Sequence, residues 1–296
     1  MRRPLLSILF VFTFCLSAFV SAESTRKFTL DNTQLVQINS AQTGQTHELI
    51  IALPSSYHSS PERRYPVLYA LDGYWDIPML TATYGNLIYD NLVPEFIIVG
   101  FSYPGAVDYG KERRRDFTPT KGAYAEGSAG GAAKFLQFIK ETVAPKIEAE
   151  YRGDKNQRAL TGTSLGGLFT LYAMYEDPEF FDRYLAISPA AIWDNGYLAR
   201  RDADYAKKNQ TLKARAFISY GTDEYKPFAD AIIEYQKIIK KRSYKDLALM
   251  NYRMEGLRHT GVKGDGFAQG LMFVWKDIAP TGPSGLERDM RGIPAQ

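Results

Sequence analysis

The sequence predicts an α/β protein with a mostly parallel central sheet and helices on both faces. Three observations carry this. Short apolar runs alternate with longer segments that read as helices. Two of the runs, residues 65–71 (YPVLYAL) and 96–101 (FIIVGF), are apolar at nearly every position, as in strands covered on both sides. In residues 158–176 (RALTGTSLGGLFTLYAMYE), a strand end, a glycine-rich turn and a helix follow one another without a linker. Leu165, Leu168, Phe169, Leu171, Tyr172 and Met174 are spaced for the buried face of that helix.

The N-terminal residues stand apart. Arg2 and Arg3 precede an apolar run from Leu5 to Val20, and Val20-Ser21-Ala22 fits a small-residue cleavage site. This pattern predicts a signal peptide over residues 1–22 and export to the periplasm or beyond the cell. The run is about 16 residues, short of the roughly 20 that a spanning helix needs, so no membrane association is expected after cleavage. Cys15, the single cysteine, lies inside this stretch. The mature chain therefore has no disulfide, thiol nucleophile or cysteine metal site. The formal net charge is +3; losing Arg2 and Arg3 leaves about +1, which gives no footprint for nucleic acid. At 296 residues, 45% of them hydrophobic, the chain suits one large α/β domain or two small ones, and a single domain over residues 23–296 is expected.

Residues 34–38 and 47–53 alternate as two early strands. The 65–71 strand ends in Asp72-Gly73-Tyr74-Trp75, and a helix is expected over 77–91. After the 96–101 strand comes a long irregular segment, 103–127, with the cluster Arg113-Arg114-Arg115-Asp116. Ser128 is placed to cap the next helix, whose apolar positions are Phe135, Leu136, Phe138, Ile139, Val143 and Ile147. A strand over 184–187 ends in Ser188-Pro189, and 195–209 reads as partly helical. A strand over 214–220 ends in Gly221-Thr222-Asp223-Glu224, before an amphipathic helix over 228–241. The last strand, 247–254, leads to His259-Thr260-Gly261 and a closing helix over 267–278. The unusual polar loops all follow strand ends. In a parallel sheet they meet on the carboxyl edge, where ligands bind.

Gly162-Thr163-Ser164-Leu165-Gly166 matches G-x-S-x-G, the nucleophile elbow. The pentapeptide alone fits an ordinary turn equally well. The strand before it, the helix after it and the third glycine, Gly167, favour a nucleophilic Ser164. A serine hydroxyl needs a base in reach, itself held by a third group. Of His47, His58 and His259, only His259 follows Ser164, and it lies in a loop after the last strand. Asp223 and Glu224 both qualify as the acid. The backbone N–H groups of Leu165 and Tyr74 are the candidates for an oxyanion hole, with Gly73 allowing a sharp turn. Three scattered histidines give no metal site, and no cofactor is expected.

The combination of YPVLYALDG, RRRDFTPT, GTSLGG, ISPAAIW and a late His-Thr-Gly resembles the putative-esterase family of α/β-hydrolases. That family includes esterase D, feruloyl esterases, enterochelin-type siderophore esterases and mycolyltransferases. The resemblance implies an α/β-hydrolase fold and ester cleavage through an acyl-enzyme. It makes Ser164 the nucleophile, His259 the base, and Tyr74 and Leu165 the oxyanion donors. The family position, three residues after Gly221, favours Glu224 over Asp223 as the acid. Trp193 matches an aromatic residue near the pocket. Arg113 or Arg115 is a candidate contact for an anionic substrate, with a salt bridge to Asp116 as the alternative. The expected substrate is a small ester, with a siderophore trilactone ahead of aryl or acyl esters. Acyl transfer and a non-catalytic binding protein remain the other readings.

Overall fold

The computed structural model describes residues 29–124 and 127–292. The expected signal peptide lies outside them. Strands β1 (Thr33–Ser40) and β2 (Gln45–Ala52) form an antiparallel pair. β3 (Tyr65–Ala70), β4 (Ile97–Ser102), β5 (Gly153–Ser164), β6 (Arg183–Pro189), β7 (Thr211–Gly221) and β8 (Lys245–Met254) run parallel to one another. All eight join one sheet in the order β1-β2-β4-β3-β5-β6-β7-β8. The two apolar runs became β3 and β4, buried at every position.

Helices cover both faces. α1 (Gly73–Tyr89) and α8 (Val262–Trp275) lie on one. There Gly266 stands against Ile187, and Gly270 against Leu185 and Phe217. On the other face, α2 (Tyr109–Phe117), α3 (Ala132–Phe138), α4 (Ala144–Glu150), α5 (Leu165–Glu176), α6 (Trp193–Ala206) and α7 (Lys226–Arg242) add to a core with Val67, Tyr69, Leu160, Ala186 and Ile218. The strand period of two thus sends alternate residues into two separate cores. A short α9 (Gly285–Arg291) follows, opened by a capping box between Ser284 and Glu287.

Several expectations need correction. Residues 103–127 are not irregular throughout, because α2 lies within them. Asp108 caps it by accepting from the Lys111 N–H at 3.0 Å. Ser128 does not cap α3; Gly131 occupies that position. Between α3 and α4 the helix widens into a π turn, Ile139–Val143. Pro145 lacks the N–H that would bond to the Glu141 carbonyl, which removes one rung of a regular helix there. α1 begins at Gly73 rather than near residue 77, and Pro78 falls inside it. α8 starts at Val262, five residues before the expected helix, and α9 carried no expectation.

Candidate active site

Five adjacent strands, β3-β5-β6-β7-β8, are followed at their carboxyl ends by Tyr74, Leu165, Trp193, Glu224 and His259, with Ser164 ending β5, and Arg113 and Arg115 follow β4. Ser164 ends β5 and precedes α5 with φ 61° and ψ −115°. A non-glycine residue held there is strained, as a nucleophile elbow requires. The glycines are needed for room. A Cβ on Gly162 would lie 2.5 Å from the Gly166 carbonyl carbon, and one on Gly167 would lie 2.8 Å from the Pro189 Cα. The Ser164 carbonyl accepts from the Ala190 N–H at 2.9 Å, so the loop after β6 supports the elbow.

Glu224 and His259 meet. Glu224 Oε2 lies 2.8 Å from His259 Nδ1. The carboxylate is buried, with 1% of its side chain exposed, while 41% of the imidazole is open to solvent. Burial works against the charge on Glu224. Hydrogen bonds from His259, the Gly221 N–H and Ser188 outweigh it and hold the carboxyl below its usual range. With Glu224 ionised, Nδ1 carries the proton and Nε2 is left as the basic nitrogen. Phe228 stands edge-on to the imidazole, with ring centroids 4.8 Å apart. The neighbouring Asp223 is exposed and turned away. Its N–H donates to the Leu257 carbonyl at 3.1 Å, and its side chain meets the Thr222 hydroxyl. Ser188, absent from the sequence-derived set, donates to Glu224 and reaches Nδ1. Its place at the end of β6, in ISPAAIW, was the available signal.

Leu165 is the first residue of α5 and Tyr74 the second of α1. N–H groups in a first helical turn lack intrahelical acceptors and suit a developing anion, and the Tyr109 hydroxyl lies within hydrogen-bond reach of the Tyr74 N–H. The turn before Tyr74 differs from expectation. Its left-handed residue is Asp72, at φ 59°, and not Gly73. Gly73 is needed for close approach, since a Cβ there would lie 2.6 Å from the Gly100 carbonyl carbon.

The two arginines are held by the protein. Arg115 pairs with Asp116 through two bonds of 2.8 Å and with Glu112. Arg113 does not pair with Asp116 but grips Asp72. Asp116 already receives the Arg115 guanidinium and the Tyr103 hydroxyl. Trp193 begins α6 and donates from Nε1 to the Thr120 hydroxyl at 3.0 Å, and its ring stacks parallel to Tyr124 at 5.5 Å. Lys263, just after the His259 loop, bonds to Asp76 of α1 and ties the two site-bearing segments together. Burial raises Asp76 to about 6, although Lys263 pulls the other way. His47 is buried on β2 and His58 is exposed in a loop. Among the described residues, no three His, Cys, Asp or Glu side chains group to hold a metal ion.

Residues 40–247 match the family described as Putative esterase. Ferri-bacillibactin esterase BesA of Bacillus subtilis is 31% identical over 205 residues, 64% of this chain and 70% of that protein. A siderophore triacetylfusarinine C esterase of Aspergillus fumigatus is 28% identical over 243 residues, 72% of this chain and 82% of that one. Among solved structures, the BES protein of Bacillus cereus superposes with a TM-score of 0.77 at 26% identity, covering 85% of this chain and 97% of that one. An IroE-like serine hydrolase of Shewanella oneidensis gives 0.75 at 26% identity, covering 84% and 82%. Strand order, the Ser164 elbow and these likenesses converge: the chain belongs to the putative esterase family, as a serine hydrolase of carboxylic esters on the α/β-hydrolase fold.

Proposed function

We propose that this chain is an exported siderophore esterase in which Ser164, His259 and Glu224 form the catalytic triad. The 2.8 Å contact between Glu224 Oε2 and His259 Nδ1 carries the reading, because it joins an acid and a base that Ser188 also contacts, next to the Pro189 that pairs with the strained Ser164. Ser164 Oγ attacks the ester carbonyl as His259 Nε2 takes its proton. The oxyanion accepts hydrogen bonds from the Leu165 and Tyr74 N–H groups. The imidazolium, stabilised by Glu224, then protonates the leaving alcohol. Water repeats the sequence on the acyl-enzyme, and the acid is released. Glu224 stays ionised throughout.

Two things support a siderophore as the substrate. Two relatives are named as esterases of bacillibactin and triacetylfusarinine C. A cleft of about 750 Å³ opens beside Trp193's partner Thr120, lined by Arg115, Lys121, Gly130 and Lys134 but by none of the three triad residues. Lys121 and Lys134 are exposed and suit the net negative charge of a catecholate chelate. Export fits the same role. It rests on the signal-like residues 1–22, ahead of one catalytic domain over 23–296. Among the described residues, no helix is long and apolar enough to cross a membrane.

The test is a panel of siderophore trilactones, feruloyl esters and short acyl esters, read by product chromatography. A siderophore is expected to give the highest kcat/KM. Ser164→Ala should lose on the order of 10⁶ in kcat. Faster turnover of a short acyl ester than of every siderophore would overturn the substrate. An active Ser164→Ala variant would overturn the nucleophile.

A further inference from the structure

We infer that Ser188 is a positioning residue whose hydroxyl orients the Glu224 carboxylate toward His259. The inference rests on the triad reading above. Ser188 lies at the end of β6, between the strand that delivers Ser164 and the strand that delivers Glu224. It is fully buried and left-handed, with φ 45°. A serine gains nothing from that backbone conformation that glycine would not give more cheaply. Its hydroxyl is therefore the feature to explain.

That hydroxyl lies 2.7 Å from both Glu224 oxygens and 3.2 Å from His259 Nδ1. A hydroxyl has one proton to donate and lone pairs to accept with. The proton goes to the carboxylate, and a lone pair faces the Nδ1–H. Glu224 Oε1 also accepts from the Gly221 N–H at 2.9 Å. Two donors thus pin a side chain that has three rotatable bonds, leaving Oε2 aimed at the imidazole. A shorter acid would need less help. The other residues of this loop hold the elbow through backbone: Ala190 N–H on the Ser164 carbonyl, and Pro189 against Gly167. Removing only the Ser188 hydroxyl leaves those contacts in place.

The experiment measures kcat and KM for Ser188→Ala, Ser188→Gly, Glu224→Gln and the Ser188→Ala/Glu224→Gln double variant, with thermal melts to confirm folding. Ser188→Ala and Ser188→Gly should each lower kcat by about 10- to 100-fold, the scale of a misplaced catalytic group, with KM within about twofold. In the Glu224→Gln background, the further loss from Ser188→Ala should shrink to less than about twofold, because the hydroxyl acts through the carboxylate. A wild-type rate for Ser188→Gly would show that only the backbone conformation matters and would overturn the inference. So would an undiminished Ser188→Ala loss in the double variant. A wild-type rate for Glu224→Gln would instead remove the triad reading, and this inference with it.

Discussion

Arg113 grips Asp72 in a two-pronged ion pair, with Nε to Oδ1 and Nη2 to Oδ2 both at 2.7 Å. The same Nη2 reaches the Thr163 carbonyl at 3.2 Å. Asp72 opens the turn that presents the Tyr74 N–H, and Thr163 precedes Ser164. One guanidinium therefore ties the two halves of the proposed oxyanion hole together. Lysine cannot reproduce this fork. Arg113→Lys is expected to lower kcat by tenfold or more with little change in KM. Arg113→Ala should also cost several kcal/mol of stability, because it leaves Asp72 buried and unpaired. A rise in KM confined to anionic esters, at constant kcat, would make Arg113 a substrate contact instead.

The choice between the adjacent acids is equally direct. Glu224 is buried against His259, whereas Asp223 is exposed and bonded elsewhere. Glu224→Gln keeps the shape and removes the charge proposed to stabilise the imidazolium. Turnover should fall by several orders of magnitude, roughly 10⁴ by analogy with the best-studied triad. Asp223→Asn should stay within about threefold, or ~0.7 kcal/mol of barrier. A loss confined to Asp223→Asn would reverse the assignment.

The legible parts of this chain were those with a local signature. Ser164 was marked by glycines that the strand–helix contact demands, and His259 by being the sole histidine after it. The acid pair was narrowed to one turn, but which member faces inward depends on the Ser188 and Gly221 contacts. Helix α2 was hidden because Arg113, Arg114, Arg115 and Asp116 mask its apolar period. Arg113's partner Asp72 lies 41 residues away, Arg114 reaches the Ser128 carbonyl, and Arg115 bonds to the neighbouring Glu112 and Asp116, none of which a helical period reveals. Ser188 had no periodicity to reveal it, since its contacts exist only where β6 meets the loop after β7.

His47 sets an acid limit on stability. It is buried between Phe138, Phe135 and Tyr103, with its Nδ1 4.0 Å from Asp116. Burial pushes it from 6.5 down to about 4, although Asp116 pulls it upward. The folded protein therefore resists binding a proton that the unfolded chain accepts. The associated stability is present above pH 6.5 and is lost as pH falls toward 4, by about 3 kcal/mol in all. His47→Gln should flatten the slope of the urea midpoint between pH 6.5 and 4, whatever its effect at pH 7.5. An unchanged slope would place the acid sensitivity elsewhere.

Gly73 and Gly85 share helix α1 and should respond oppositely to alanine. A Cβ on Gly73 would meet the Gly100 carbonyl carbon at 2.6 Å, its Cα at 2.8 Å and the Phe101 nitrogen at 2.9 Å. All three are backbone atoms of β4, a buried strand held on both sides by β2 and β3. The strand cannot give way, so the start of α1 must move. Tyr74 is the next residue, and its N–H would leave the proposed oxyanion position. Gly73→Ala should therefore lower kcat about 100-fold, as a displacement of roughly 1 Å can. It should also cost about 1–3 kcal/mol of stability through overpacking. Farther along the helix, a Cβ on Gly85 would meet nothing within 4 Å. Gly85→Ala should stabilise the helix by about 0.5–1 kcal/mol and leave kcat unchanged. Thermal melts and esterase rates on the two variants separate a general intolerance of α1 to substitution from a steric requirement at the turn. Equal losses in both would argue for the former, and a full rate in Gly73→Ala would remove Tyr74 from the oxyanion hole.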